Sequence, residues 1–199
     1  MLLSHKYKFI FIKTRKTAGT SVEIELSKLM SDKDIVTTIK PEHKTHMPRN
    51  YIYNGKKLFN HIMMSEVEKI IPYKITHNYF KFCIEREPVE KCISDFCMFK
   101  NSPYHNKNNK ISNWEDYIMS GVFPVDTNKY IDEKNNLIVD KIIKYENLNI
   151  EMAAISKKIG FKFNGINIRA KSGFRENIIV KEEHRKIIYE AFSKSNSFT

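Results

Sequence analysis

Lys16-Thr17-Ala18-Gly19-Thr20-Ser21 places an ammonium, three hydroxyls and a glycine in one short run, the residue types that hold a phosphate or sulfate group. Lys16 stands before Gly19, whereas a Walker A loop, GxxxxGK[ST], puts its lysine after the second glycine. A second run, Arg86-Glu87-Pro88-Val89-Glu90-Lys91-Cys92-Ile93-Ser94, sets an arginine about two helical turns ahead of a serine. Those two groups suit a phosphate monoester, through charge-assisted hydrogen bonds. His61 lies between the runs and, as an imidazole, is suited to take a proton near neutral pH. His46, in Thr45-His46-Met47-Pro48, is the second candidate, and His77 reads as structural. Taken singly, each run has a plain reading. The first is also an ordinary helix start, and Arg86 also fits an ion pair with Glu85, Glu87 or Glu90.

The elements that must position these groups follow from the apolar pattern. Residues 7–13 (YKFIFIK), 79–84 (YFKFCI) and 137–145 (LIVDKIIKY) read as strands. Thr20 and Glu23 have the spacing of a capping box, which predicts a helix over 20–30. Pro88 suits a first helical turn, with Val89, Cys92, Ile93, Phe96 and Phe99 recurring at helical spacing after it. Further helices are expected over 65–71, 114–119, 149–159 (closed by Gly160) and 181–192, while 31–57 reads as a loop-rich insertion. Strands alternating with helices predict one α/β domain over 1–199, three-layered around a mainly parallel sheet. Ligands in such sheets sit beyond the carboxyl ends of the strands, where both runs fall.

The chain has 199 residues, 41% apolar and 12% aromatic, enough for a packed core. A net charge of +11 attracts anions, although abundant Lys, Asn and Ile also fit a compositional bias. Three cysteines (Cys83, Cys92, Cys97) form no CxxC pair or zinc-ligand spacing, so reduced thiols and a cytoplasmic location are expected, with no metal. No stretch is apolar enough for a membrane span.

The two runs together resemble the sulfotransferases that use 3′-phosphoadenosine 5′-phosphosulfate (PAPS), chiefly bacterial and carbohydrate-type members related to the uronyl sulfotransferases. Their 5′-phosphosulfate loop, P-K-T-[AG]-[GS]-T-[ST], is matched by Arg15 through Ser21, and their 3′-phosphate motif, R-[ND]-P-x-x-[RK]-x-x-S-[YF], by Arg86 to Ser94. The likeness continues through Asn128-Lys129-Tyr130, Ile138-Val139-Asp140 and Lys144-Tyr145-Glu146-Asn147-Leu148. Arg15 replaces a common proline, Glu87 the usual Asn or Asp, Val89 a common aromatic, and Asp95-Phe96 a paired aromatic.

The resemblance implies a P-loop-like fold and in-line sulfuryl transfer from PAPS to a hydroxyl on a saccharide or glycolipid, leaving 3′-phosphoadenosine 5′-phosphate. It implies donor contacts from Arg15, Lys16, Thr17, Ala18, Gly19, Thr20 and Ser21, a 3′-phosphate clamp from Arg86 and Ser94, and closure by Lys171, Ser172 and Gly173. His61 is the implied base and Lys16 stabilises the departing oxygen. Glu146 reads as a structural residue at a strand-to-helix turn. Two other classes remain in view: a P-loop-type nucleotide kinase or NTPase, and a basic nucleic-acid-binding module. The first lacks GxxxxGK[ST], and the second lacks a recognised motif or a clustered basic face.

Overall fold

A computed structural model describes residues 1–102, 111–168, 170 and 173–196, with side chains through residue 193. Its strands are β1 (Leu2–Ser4), β2 (Phe9–Phe11), β3 (Ile35–Val36), β4 (Ile52–Tyr53), β5 (Lys56–Lys57), β6 (Phe80–Glu85) and β7 (Lys141–Lys144). The helices are α1 (Gly19–Ser27), α2 (Met64–Ile70), α3 (Tyr73–Asn78), α4 (Pro88–Asn101), α5 (Trp114–Ser120), α6 (Leu148–Ile159) and α7 (Glu182–Asn196). The chain forms two compact units, Met1–Glu85 with Asn128–Ala170, and Arg86–Thr127 with Lys171–Thr199.

The first unit holds a mixed five-stranded sheet in the order β3-β1-β2-β6-β7, flanked by helices. β2–β6 and β6–β7 pair in parallel, while β1 pairs antiparallel with both β2 and β3. Alternating side chains serve opposite faces of the sheet. Phe9, Phe11, Phe82 and Ile84 pack with Val22 and Leu26 of α1 and Met152 and Ile155 of α6. Ile10, Ile12 and Cys83 pack with Leu58, Ile62 and with Met64 and Val67 of α2. Both faces are therefore buried, which explains why β2 (Phe9–Phe11) and the centre of β6 (Phe82–Ile84) are continuously apolar.

The local differences from the sequence expectations have physical causes. The amino-terminal Leu2–Ser4 adds β1, whose pairing makes the sheet mixed. The expected strand over 137–145 shortens to Lys141–Lys144 because Leu137 and Ile138 pair instead with Ile131 and Tyr130. Within 31–57, Asn54 and Gly55 both take positive φ, 46° and 74°, and close the β4–β5 hairpin. The Thr20–Glu23 capping box does not form: the cap of α1 is Ala18, with no side-chain cap bond, and Glu23 turns inward.

The second unit packs α4, α5 and α7 around Cys92, Phe96, Trp114, Tyr117, Phe123 and Ile188. Pro88 does open α4, and the cap is Glu87, whose carboxylate accepts from the N–H groups of Val89 (3.0 Å) and Glu90 (2.8 Å). The Lys91–Asp126 ion pair, 3.1 Å long, is fully buried. Cys83, Cys92 and Cys97 are buried, and none forms a disulfide among the described residues. Among the described residues no helix is long and apolar enough to cross a membrane.

Phe82 is fully buried and touches Phe9, Phe11 and Phe80 in one aromatic row. Phe82→Ala is expected to cost about 3–5 kcal/mol of stability, measured by urea unfolding; a loss under about 1 kcal/mol would contradict this packing.

Candidate functional site

The carboxyl ends of β2 and β6 lie side by side. The Ile12 N–H donates to the Phe82 carbonyl at 2.9 Å, and the Thr14 hydroxyl donates to the Ile84 carbonyl. Past this point β2 opens into the loop 14–18. Lys16 (φ 61°) and Ala18 (φ 57°) both take left-handed backbone without being glycine. Such conformations cost of order 1–3 kcal/mol each and cluster where a ligand is held. Left-handed residues among right-handed ones turn successive N–H groups toward one concavity, an anion-binding nest. The N–H groups of Ala18, Gly19, Thr20 and Ser21 have no partner among the described residues, and α1 adds the positive end of its dipole there.

The floor of this loop is a buried ion pair. Lys13 Nζ donates to Glu23 Oε2 at 2.6 Å, and the Met1 amino group donates to Glu23 Oε1. Burial alone would raise the Glu23 carboxyl, but the two cations overcome it and bring the pKa to about 2. The stem of Lys13 lies against Gly19 so closely that a Cβ there would sit 2.7 Å from Lys13 Cγ. Since Lys13 is only 3% exposed and paired, it cannot move aside, so this position requires glycine.

His61 is held at the same place. Its Nδ1 is 3.1 Å from the Lys13 carbonyl oxygen, which can only accept. The neutral ring therefore carries its proton on Nδ1, leaving the Nε2 lone pair available. Burial first, then the nearby Lys13 charge, lowers the His61 pKa to about 4, so the ring is neutral at pH 7. Lys129 Nζ donates to the His61 carbonyl at 2.7 Å and fixes the backbone, whose φ is 64°.

The remaining residues of the first run divide by role. Arg15, Lys16 and Thr20 are half-buried. Thr17 is buried, its hydroxyl 2.9 Å from that of Thr14, and so braces the loop from within. Ser21 Oγ accepts from the Ala170 N–H at 3.0 Å, which leaves the hydroxyl proton for an anion. His46 is a buried ring, 3% exposed, whose nitrogens make no hydrogen bond among the described residues; burial lowers its pKa. His61 is thus the histidine at the loop.

In the second unit Arg86 pairs with Glu90 at 3.0 Å, one of the pairings open from sequence. Ser94 lies one turn beyond Glu90 on α4 and is half-buried. Gly173 is exposed with φ 91°; Lys171 and Ser172 lie outside the described residues. Lys13, Glu23, Lys129 and Arg175 were not read as site residues from sequence. Lys13 ends an apolar strand and Glu23 sits at helical spacing, so neither pattern distinguishes it from a structural residue. Among the described residues no group of three or more His, Cys, Asp or Glu is placed to hold a metal ion.

No protein-family profile matches the chain. It is similar to an uncharacterised protein of Archaeoglobus fulgidus, 30% identical over 119 residues that make up 58% of this chain and 90% of that protein.

Nitrogen-detected NMR is expected to show His61 as the Nδ1–H tautomer, titrating at about 4. The folded ring takes up its proton below the unfolded value of about 6.5. Stability from this ring is therefore complete above that value and is lost as pH falls toward about 4. A titration near 6.5 would contradict the described burial.

Proposed function

Because the chain belongs to one family with that archaeal protein, which is described only as uncharacterised, its function rests on the site, and we propose a PAPS-dependent sulfotransferase. The observation that carries this reading is the His61–Lys13 hydrogen bond, which holds a neutral imidazole at the residue leading into the loop 14–18. An anion cradle alone would serve many ligands; a base beside it serves transfer to a hydroxyl. The lysine ahead of the glycine, the Arg86–Ser94 run and the resemblance they carry select PAPS over a nucleoside triphosphate. A P-loop-like, three-layer arrangement belongs to this reading, supported by cores on both faces of the sheet.

In this reading the N–H groups of Ala18 to Ser21, with the Thr20 and Ser21 hydroxyls, hold the 5′-phosphosulfate, and Gly19 lets it approach the backbone. Arg15 and Lys16 supply positive charge to it. His61 Nε2 accepts the proton of the acceptor hydroxyl as its oxygen bonds to sulfur. The bond from sulfur to the bridging oxygen breaks, and its electron pair stays on the phosphate, where Lys16 stabilises it. Bringing a multiply charged anion beside His61 raises its proton affinity from the low value of the free protein, so base strength increases when the donor is in place. Arg86 and Ser94 take the 3′-phosphate on the strength of the resemblance, as does Gly173 with Lys171 and Ser172. The acceptor is a hydroxyl of a saccharide or glycolipid, and reduced thiols at the three cysteines fit a cytoplasmic setting.

3′-Phosphoadenosine 5′-phosphate is expected to raise the Tm, while ATP with magnesium is not. With labelled PAPS and a panel of saccharide and glycolipid acceptors, His61→Ala is expected to lower transfer about 10²–10⁴-fold and Lys16→Ala about 10²–10³-fold. Stabilisation by ATP–magnesium alone, or undiminished transfer by both variants, would overturn the proposal.

A further inference from the structure

Glu90 is the acceptor of an unusual set of contacts in the second unit. Arg175 donates to it with both terminal nitrogens, Nη1 to Oε2 at 2.7 Å and Nη2 to Oε1 at 3.0 Å. Arg86 Nη2 donates to the same Oε2 at 3.0 Å. A carboxylate gripped bidentately by one guanidinium and shared with a second has the contacts that a phosphate dianion would receive there. Its place in the chain supports the comparison. Glu90 lies in the first turn of α4, four residues after Arg86, which precedes the helix, and four before Ser94 on the same helix face.

We propose that Glu90 is a built-in competitor for the 3′-phosphate: its carboxylate occupies the Arg86–Arg175 fork until the phosphate displaces it, and Arg175 becomes a second guanidinium ligand. This inference rests on the donor reading above. The groups around the fork restrict where else a phosphate could bind. Glu87 spends its carboxylate on the N–H groups of Val89 and Glu90 and accepts from Tyr189 Oη at 2.7 Å. The helix end is therefore already capped by a negative charge, so an anion must be held by side chains. The hydrogen bonds from Arg175 also hold the Glu90 carboxyl below its ordinary range, so the competitor is ionised at neutral pH.

Exchange of one anion for another explains how two arginines can stay paired in the free protein and still be available. It also makes donor affinity a difference between two interactions: Glu90 weakens binding in return for keeping the guanidiniums together. Because Glu90 is 40% exposed, its displaced side chain can swing into water without leaving a buried charge.

The test is calorimetric titration of the full chain and its Glu90→Gln variant with adenosine 3′,5′-bisphosphate, 3′-AMP and 5′-AMP. Glu90→Gln is expected to bind the first two about tenfold more tightly, the scale of removing one like charge from a partly solvated anion site. Affinity for 5′-AMP should not change. Glu90→Ala, which also removes the amide, should shift affinity in the same direction, and adding Arg175→Gln to Glu90→Gln should cancel the gain. Weaker or equal bisphosphate binding by both Glu90 variants would overturn the inference, because Glu90 would then position the arginines and not compete for them. If wild type and variants all fail to bind the bisphosphate, the donor reading itself fails.

Discussion

Lys13 serves the first unit with three of its parts. Its ammonium pairs with Glu23 inside the core, its stem fills the space that a side chain at position 19 would need, and its carbonyl holds His61. A buried pair of this kind contributes little net stability, because desolvation of both ions offsets their attraction. Removing Glu23 is a different matter: the Lys13 and Met1 ammonium groups then lose their shared counter-ion inside the core, at about 3–5 kcal/mol. The pair therefore acts mainly as a positional constraint. It ties the end of β2 to α1 and fixes the loop between them in its left-handed conformation.

That constraint links His61 to the loop that follows β2. The Lys13 charge helps keep His61 neutral, and the Lys13 carbonyl chooses which ring nitrogen is free. One residue thus selects the tautomer of the histidine and adds to the effect of burial in keeping it neutral. In the second unit Glu90 plays a related part through solvent-exposed contacts, where an ionised carboxylate keeps two guanidiniums together. One arrangement is buried; the other is half-exposed.

Much of this was legible in the residues. The apolar, aromatic runs of β2 and of Phe82–Ile84 in β6, Pro88 at the start of α4 and Gly160 at the end of α6 are local signals that tertiary packing leaves unchanged. Thr20 and Glu23 misled because their spacing suits a cap equally well, and only the buried cations show why Glu23 points inward. β1 escaped notice since three residues carry no period, and its pairing partner is decided by the sheet. Asn54-Gly55 was a readable hairpin signal within a stretch whose polarity suggested loop. The Arg175–Glu90 contact spans 85 positions, a separation that no local pattern reveals.

At the outer end of the sheet, β7 pairs, among the described residues, with β6 on one side only. Lys141 and Lys144 bracket this edge strand, and both are exposed; Lys141 is tied to Glu151 at 2.6 Å. A second chain approaching to extend the sheet would bring its own copies of these lysines against them, and like charges facing each other across a new ladder repel. The strand that supports β6 beside the loop therefore also guards the protein against edge-to-edge aggregation, a protection that weakens as added salt screens the charge.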